Sequence, residues 1–319
     1  MITAMISRDE KDIPPATLAG IRAGGIEIRC RNCRTAGELV DFARDADLVW
    51  LDGTVPALNA DSVSQLPRCR ALFRSGSGID SLPLARAAEL GIKVYNTPES
   101  ISEAVAEHSV ALLFALARKI VCFDRLVRDG GWETPKGAVP HHLNGRTLGL
   151  VGYGNIARIV ERLVSGFQMT VIHHDPQSAA SVPLDELLER SDFVSLHCPL
   201  TAQTAKLIDR QKLNLMKPDA LLINTSRGSV IDEAALIEAL EHGRIGGAAL
   251  DVTECEPPSP DNRLLQLPNV IITPHIAAFS VDFEKNFFES SFRKLLEIRD
   301  IISNNNSRRL QNEQTEKGL

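Results

Sequence analysis

From about residue 147 onward, short apolar runs alternate with stretches of helical periodicity, and this alternation limits the fold more than any other feature. Parallel strands need a long crossover between them, usually a helix, so the pattern is the signature of a parallel α/β sheet. The spacing predicts strands at 147–151, 169–173, 193–197, 220–224, 247–252 and 269–273, with helices at 155–164, 184–189 and 233–241. Asp232 has the residue type and position of an N-cap for the last helix, and Gly243 those of its left-handed stop. At least six strands with short loops make a doubly wound domain.

The first hundred residues repeat the idiom on a smaller scale, with strands expected at 47–51, 71–73 and 92–95 and helices at 35–44 and 83–90. The N-terminus is short, so a weak first strand is expected. Gly91 and Thr97-Pro98 punctuate segment ends. Residues 102–121 form one long helical stretch carrying Val105, Val110, Leu113, Leu116 and Ile120. It reads either as a core helix or as a connector into the second domain. After Ala278, Phe279, Phe283, Phe287, Phe288 and Leu295 suit one amphipathic helix able to return to the first domain. Residues 303–319 are polar and aperiodic, and a frayed tail is expected there.

A length of 319 residues fits two domains, and 44% hydrophobic residues with 24% charged ones supply full cores. Thirty-five Lys and Arg against 41 Asp and Glu leave a charge of −6, which argues against a dedicated nucleic-acid binder. The longest apolar run, 110–117, is too short for a bilayer span, and the opening residues become charged before a signal sequence can develop. The expectation is a soluble, cytoplasmic protein with reduced thiols. Cys30 and Cys33 are the one close pair. A zinc ribbon would need a second pair, whereas Cys69, Cys122, Cys198 and Cys255 stand alone, so a plain loop and no metal are expected. Arg29, Arg31 and Arg34 around it read as a solvated face.

Gly152-Tyr153-Gly154-Asn155-Ile156-Ala157 has the form G-x-G-x-x-A between an expected strand and an expected helix. The first glycine permits the turn, the second lets backbone approach a pyrophosphate, and the small Ala157 lets the helix pack close. Asp175, at the end of the next strand, is where a carboxylate takes the adenosine ribose hydroxyls. It also repels a 2′-phosphate, so NAD is expected over NADP. His173 and His174 are read first as strand residues, although a protonated imidazole would attract phosphate.

Three polar residues follow strands in the second half: Arg227, Glu256 and His275. Each therefore projects from the carboxyl edge of one sheet, where α/β proteins bind ligands. Surface ion pairing is the plain alternative for each alone. A cation, a carboxylate and an imidazole on one edge make the stronger combined case for chemistry.

With these motifs in order, the chain resembles the NAD-dependent D-2-hydroxyacid dehydrogenase family. The resemblance spans about residues 47–280, through Arg74-Ser-Gly-Ser-Gly-Ile-Asp80, Gly91 to Pro98, Val105-Ala-Glu-His108, 148–157, His197-Cys-Pro-Leu-Thr201, 224–228, Ala249-Leu-Asp-Val252 and Thr273-Pro-His275. It implies a NAD-binding Rossmann domain, 98–284, inserted into a flavodoxin-like substrate domain made of 1–97 plus 285–319. Both are doubly wound parallel sheets, with the active site in the cleft. It also implies homodimers formed through the cofactor domain.

The same resemblance assigns roles. Arg227 grips the substrate carboxylate and polarises the C2 oxygen, His275 is the acid/base, and Glu256 is its carboxylate partner. Ser75, Gly76, Ser77 and Gly78 are assigned to substrate binding, with the backbone N–H groups around Ser77 and Gly78 receiving the carboxylate. The cofactor positions are Ser77, Gly152, Tyr153, Gly154, Asn155, Ile156, Asp175, Cys198, Pro199, Thr204, Thr225, Ser226, Asp251, His275 and Ala277. Among them Asp251 is expected to hold the nicotinamide carboxamide.

The side-chain pocket of the family is lined partly by the loop that is 52–56 here. No Lys or Arg occurs between Arg44 and Arg68, and Asp52 is negative. A phosphorylated substrate is therefore disfavoured, and glyoxylate, hydroxypyruvate or pyruvate are the expected 2-oxo acids. Residues 276–280 depart from the family's glycine-rich continuation and are similar to the transcriptional corepressors of the superfamily. That similarity supports a second reading, an NAD(H)-sensing binding protein with little turnover.

Overall fold

A computed structural model describes residues 1–133 and 139–316. Contacts divide the chain into two compact units, Met1–Ile101 with Val281–Leu319, and Ser102–Ser280.

In the first unit, β1 (Ile2–Met5), α1 (Pro15–Ala23), β2 (Glu27–Cys30), α2 (Ala36–Ala43), β3 (Leu48–Leu51), α3 (Ala60–Ser64), β4 (Ala71–Arg74), α4 (Leu84–Glu89) and β5 (Lys93–Asn96) alternate. The sheet is parallel with order β2-β1-β3-β4-β5. Far from being weak, β1 is interior, paired on both sides, with Thr3, Ala4 and Met5 fully buried. Four residues at a chain end carry too little periodicity to announce this; pairing with β2 and β3 makes the strand. Thr35 caps α2 by accepting from the Glu38 N–H, and Glu38 reaches back to the Thr35 N–H. Cys30 ends β2 rather than lying in a loop, and burial pushes the thiols of Cys30 and Cys33 up to about 11.

The second unit contains α5 (Ser102–Ala117), α6 (Ile120–Arg128), β6 (Thr147–Val151), α7 (Asn155–Val164), β7 (Thr170–His174), α8 (Leu184–Arg190), β8 (Phe193–Leu196), α9 (Arg210–Leu215), β9 (Leu221–Asn224), α10 (Glu233–Glu241), β10 (Gly247–Leu250) and β11 (Val270–Ile272). Its parallel sheet has the order β11-β10-β9-β8-β6-β7, a doubly wound topology. Alternate residues feed two separate cores: Val194, Leu222 and Leu250 on one face, Phe193, Ile223 and Ala249 on the other. Burial on both faces explains why these strands read as continuous apolar runs. Asp232 does cap α10, accepting from the Ala235 N–H at 3.3 Å.

The long helix expected over 102–121 is two helices. Lys119 takes the left-handed conformation (φ 52°), and the chain changes course there. α5 is packed in the core, whereas α6 buries no residue and leaves Ile120, Val121 and Val127 exposed. Hydropathic periodicity runs across a single left-handed residue without registering it.

The C-terminal helix α11 (Phe283–Glu316) belongs to the first unit, covering its second core face with Phe287, Phe288, Leu295, Ile298 and Ile302. The tail expected to fray from residue 303 continues this helix to Glu316 instead. Its run contains neither Gly nor Pro, and an established helix propagates through polar residues. Residues 317–319 lie outside the described ones. Among the described residues, no helix is long and apolar enough to cross a membrane.

Candidate active site

The glycine motif forms the turn between β6 and α7. Gly152 has φ +86°, and a Cβ on it would lie 2.7 Å from the Cys198 backbone nitrogen and 2.8 Å from the His197 carbonyl carbon. Both conformation and space demand glycine there. Gly154, which caps α7, is different: a Cβ would meet nothing within 4 Å. The packing of the chain itself does not need that glycine. The bare backbone leaves a cradle at the positive end of α7, which fits a diphosphate. Ala157, fully buried, lets α7 sit against the sheet.

Asp175 follows β7. Its carboxylate accepts from the Tyr153 N–H of the glycine turn at 2.7 Å and from the Gln177 N–H at 2.8 Å. These backbone donors hold its acidity below the usual carboxylate range, so it remains an anion. The Tyr153 ring stacks on His173 at 3.7 Å, with the Arg158 guanidinium 4.8 Å from its centroid. The glycine turn and the Asp175 carboxylate are thus one bonded unit, and the residues present fit a dinucleotide with a free 2′-hydroxyl.

Of the other positions expected to meet the cofactor, Cys198 is buried, and burial pushes its thiol up to about 11, so it offers backbone rather than a thiolate. The Pro199 carbonyl accepts from the Thr204 hydroxyl at 2.6 Å, which fixes that exposed loop. Thr225 shares a 2.7 Å hydrogen bond with Ser109 of α5.

Arg227 lies three residues beyond β9. The fully buried Asn224 side chain shapes that turn, accepting from the Ser226 N–H and hydroxyl and donating to the Arg227 carbonyl. The Arg227 guanidinium donates to the Ser226 carbonyl at 2.7 Å. At Gly228 a Cβ would stand 2.0 Å from the Thr253 carbonyl, so this turn presses directly on the loop leading to Glu256.

Glu256 and His275, from the loops after β10 and β11, meet at 2.7 Å between Oε2 and Nδ1. The second Glu256 oxygen accepts from the Thr253 N–H at 3.3 Å. Both side chains remain open, 39% and 51% exposed, as a group exchanging protons with a ligand must be. His275 itself holds φ 52°, unusual for a residue with a Cβ.

What sustains that backbone is Asp251. Its side chain is 1% exposed and accepts from the Thr273 hydroxyl at 2.5 Å, the Ile276 N–H at 3.0 Å and the Ala277 N–H at 2.9 Å. The His275 N–H bonds the Asp251 carbonyl at 2.8 Å. A buried carboxylate gathers the nearest donors, and here they belong to the 273–277 turn. His108 of α5 adds to this brace, 3.1 Å from the Thr273 hydroxyl and 3.5 Å from the Asp251 carboxylate. His108, Ser109 and Thr273 received no role from sequence reasoning. Nothing in a helical His-Ser pair signals a contact 165 residues away.

In the first unit, the Ser75–Gly78 turn follows β4. The Ser75 side chain is committed to the core, accepting from Trp50 Nε1 at 2.8 Å and bonded to Ser291 at 2.7 Å. The Gly76 N–H is used by Thr97 at 3.0 Å. The Ser75 N–H is likewise taken, by the Leu51 carbonyl at 2.9 Å, so the Ser75 and Gly76 amides are both engaged within the fold. The carbonyls of Ser77 and Gly78 are held back by Asn96 and Arg74. Among the described residues, the N–H groups of Ser77 and Gly78 are left as the donors of this turn.

The chain is similar in sequence and fold to known proteins. A family model described as the NAD-binding domain of D-isomer specific 2-hydroxyacid dehydrogenases matches residues 110–277. The chain is 38% identical over 273 residues to a glyoxylate reductase of Korarchaeum cryptofilum, covering 82% of each. It is 39% identical over 256 residues to a hydroxypyruvate reductase of Thermotoga maritima, covering 78% of this chain and 83% of the other. It is also similar to the structure of an Aquifex aeolicus D-lactate dehydrogenase complexed with NAD and lactic acid, with TM-score 0.83 and 26% identity, covering 95% and 96% of the two chains.

Proposed function

Because the chain belongs to the D-isomer specific 2-hydroxyacid dehydrogenase family, we propose that it reduces a small, non-phosphorylated 2-oxo acid with NADH, or runs the reverse oxidation. Glyoxylate, hydroxypyruvate and pyruvate are the candidate substrates, in line with the names of its relatives. The observation that carries the proposal is the 2.7 Å contact between Glu256 and His275 on the edge next to the Arg227 turn.

In the reaction, 2-oxo acid, NADH and a proton become 2-hydroxy acid and NAD⁺. The cofactor, when bound, supplies the hydride that reaches C2. His275 delivers the proton to the C2 oxygen from Nε2, because Nδ1 faces Glu256. The Glu256 carboxylate, 2.7 Å from Nδ1, fixes the orientation of the ring. Arg227 binds the substrate and withdraws charge from its carbonyl, and the amides of Ser77 and Gly78 are assigned as the carboxylate donors of the first unit. Asp251 orients His275 through the turn it braces. The pyrophosphate is assigned to Gly154, Asn155 and Ile156, and the ribose to Asp175.

By this reading the Ser102–Ser280 unit holds NAD, and the unit of Met1–Ile101 with Val281–Leu319 takes the substrate. A homodimer is proposed as well, because the unburied apolar residues of α6 suit a second copy of the chain. The cytoplasm is the proposed compartment, in keeping with six unpaired cysteines.

The test is NADH consumption against the three 2-oxo acids. Saturable turnover that Arg227→Ala and His275→Ala abolish, with NADH affinity of the His275 variant near native, supports the assignment. Tight NADH binding without turnover on any of them would replace it with a cofactor sensor.

A further inference from the structure

The cation missing from the 52–56 loop in sequence is supplied from 44 residues upstream. Arg8 follows β1 and Asp52 follows β3, and since those strands are neighbours the two side chains meet, Nε to Oδ2, at 2.5 Å. The other Asp52 oxygen accepts from the Ser7 hydroxyl at 2.5 Å, and that hydroxyl accepts from the Asp52 N–H at 2.9 Å. The guanidinium lies 5.7 and 5.4 Å from the ring centres of Phe287 and Phe288, which limits its freedom to swing away. Arg8 also reaches the Asp12 carbonyl at 3.4 Å. One strand over, Arg74 donates to the carbonyls of Gly53 and Gly78, tying the Asp52 loop to the turn that carries Ser77 and Gly78.

This pair therefore stands at the carboxyl edge of the sheet, where open α/β sheets take ligands, beside the proposed substrate-carboxylate turn. Its side chains keep 28% and 14% exposure, within reach of a small molecule. A partly exposed ion pair adds little stability, so its main consequence here is electrostatic. The wall it forms is neutral, with the Arg8 Nε donor already engaged by Asp52. A substrate whose substituent at C2 is uncharged meets no penalty there. A second anion meets a carboxylate whose countercharge is already committed.

We infer that the Arg8–Asp52 pair is a specificity device that rejects 2-oxo acids bearing a second anionic group, and that removing its carboxylate turns Arg8 into a receptor for one. This rests on the 2-oxo acid reading above. The probe is oxaloacetate, a dianion near hydroxypyruvate in size, reduced by NADH and a proton to malate and NAD⁺.

The experiment compares kcat/KM for oxaloacetate and hydroxypyruvate in the native chain, Asp52→Asn, and Arg8→Gln with Asp52→Asn. A freed guanidinium accepting a carboxylate should raise the oxaloacetate-to-hydroxypyruvate ratio about tenfold or more in Asp52→Asn. The gain should shrink with added salt and vanish in the double variant. An unchanged ratio, or a gain that survives loss of Arg8, overturns the inference. Thermal stabilisation by D-malate relative to D-lactate, with NADH present, provides a readout independent of turnover. If the native chain reduces none of the neutral 2-oxo acids, the enzymatic reading fails. The malate preference of Asp52→Asn then still decides the role of the pair: a larger shift than native supports it, and an equal shift refutes it.

Discussion

Replacing Gly228 with alanine tests whether close contact between two loops assembles the site. The added methyl would fall 2.0 Å from the carbonyl carbon and oxygen of Thr253 and 2.5 Å from the Glu254 nitrogen. Ordinary contact begins near 3.4 Å, and all three obstacles are backbone atoms, so no rotamer change relieves them. The Arg227 turn and the loop to Glu256 must separate by about 1 Å or more, which at a reacting centre costs on the order of 100-fold in rate. Overpacking of this kind costs about 1–3 kcal/mol, a fall in Tm of roughly 2–12 °C for a unit of this size. The assay is kcat/KM for the best 2-oxo acid with NADH, beside a thermal melt and NADH affinity by fluorescence. We expect kcat/KM to fall by about two orders of magnitude and NADH affinity to fall much less. A variant with native Tm and kcat/KM would show that the two loops do not depend on each other, and the reasoning would be refuted.

Gly154→Ala is the complementary case: with nothing near the new methyl, the ligand-free Tm should stay native while NADH binding weakens at least about tenfold, as a filled diphosphate cradle requires; intact binding by titration would argue against that cradle. In Asp251→Asn either amide orientation sets NH₂ against an N–H, of Ala277 or of Ile276, so a loss of about 2–4 kcal/mol is expected in urea unfolding. A loss below roughly 0.5 kcal/mol would mean that the carboxylate does not hold the turn. Burial pushes His197, bonded to Ser195 at 2.9 Å, down to about 4. The unfolded chain then binds the extra proton first, so stability should fall as pH drops from about 6.5 toward 4. Because the residue as a whole is only half-buried, we expect about 1–3 kcal/mol rather than the full shift. His197→Gln should lose less across that window, and equal loss in both chains would exclude His197 as the cause.

Much of the second unit is legible in the sequence, for local reasons. The glycine motif lies between a strand and a helix by its own spacing, and Arg227, Glu256 and His275 follow apolar runs closely enough to be placed at strand ends. Illegible features are those whose cause lies elsewhere in the chain. The hydroxyl of Ser75 has the look of ligand chemistry but serves Trp50 and Ser291, the latter 216 residues on. The left-handed turn at Lys119 is a single residue within a continuous apolar pattern.

The amino-acid order by itself determined the kind of layer each segment joins and the edge on which the reactive groups emerge, because hydrophobic period and turn chemistry act over a few residues. Strand order, the partner of each charge and the orientation of each buried carboxylate were decided only by tertiary structure. Arg8 finds Asp52 because β1 pairs with β3, and Asp251 turns inward because three donors from a later loop close around it. Such contacts depend on which distant segments share a neighbourhood, and no local pattern encodes that.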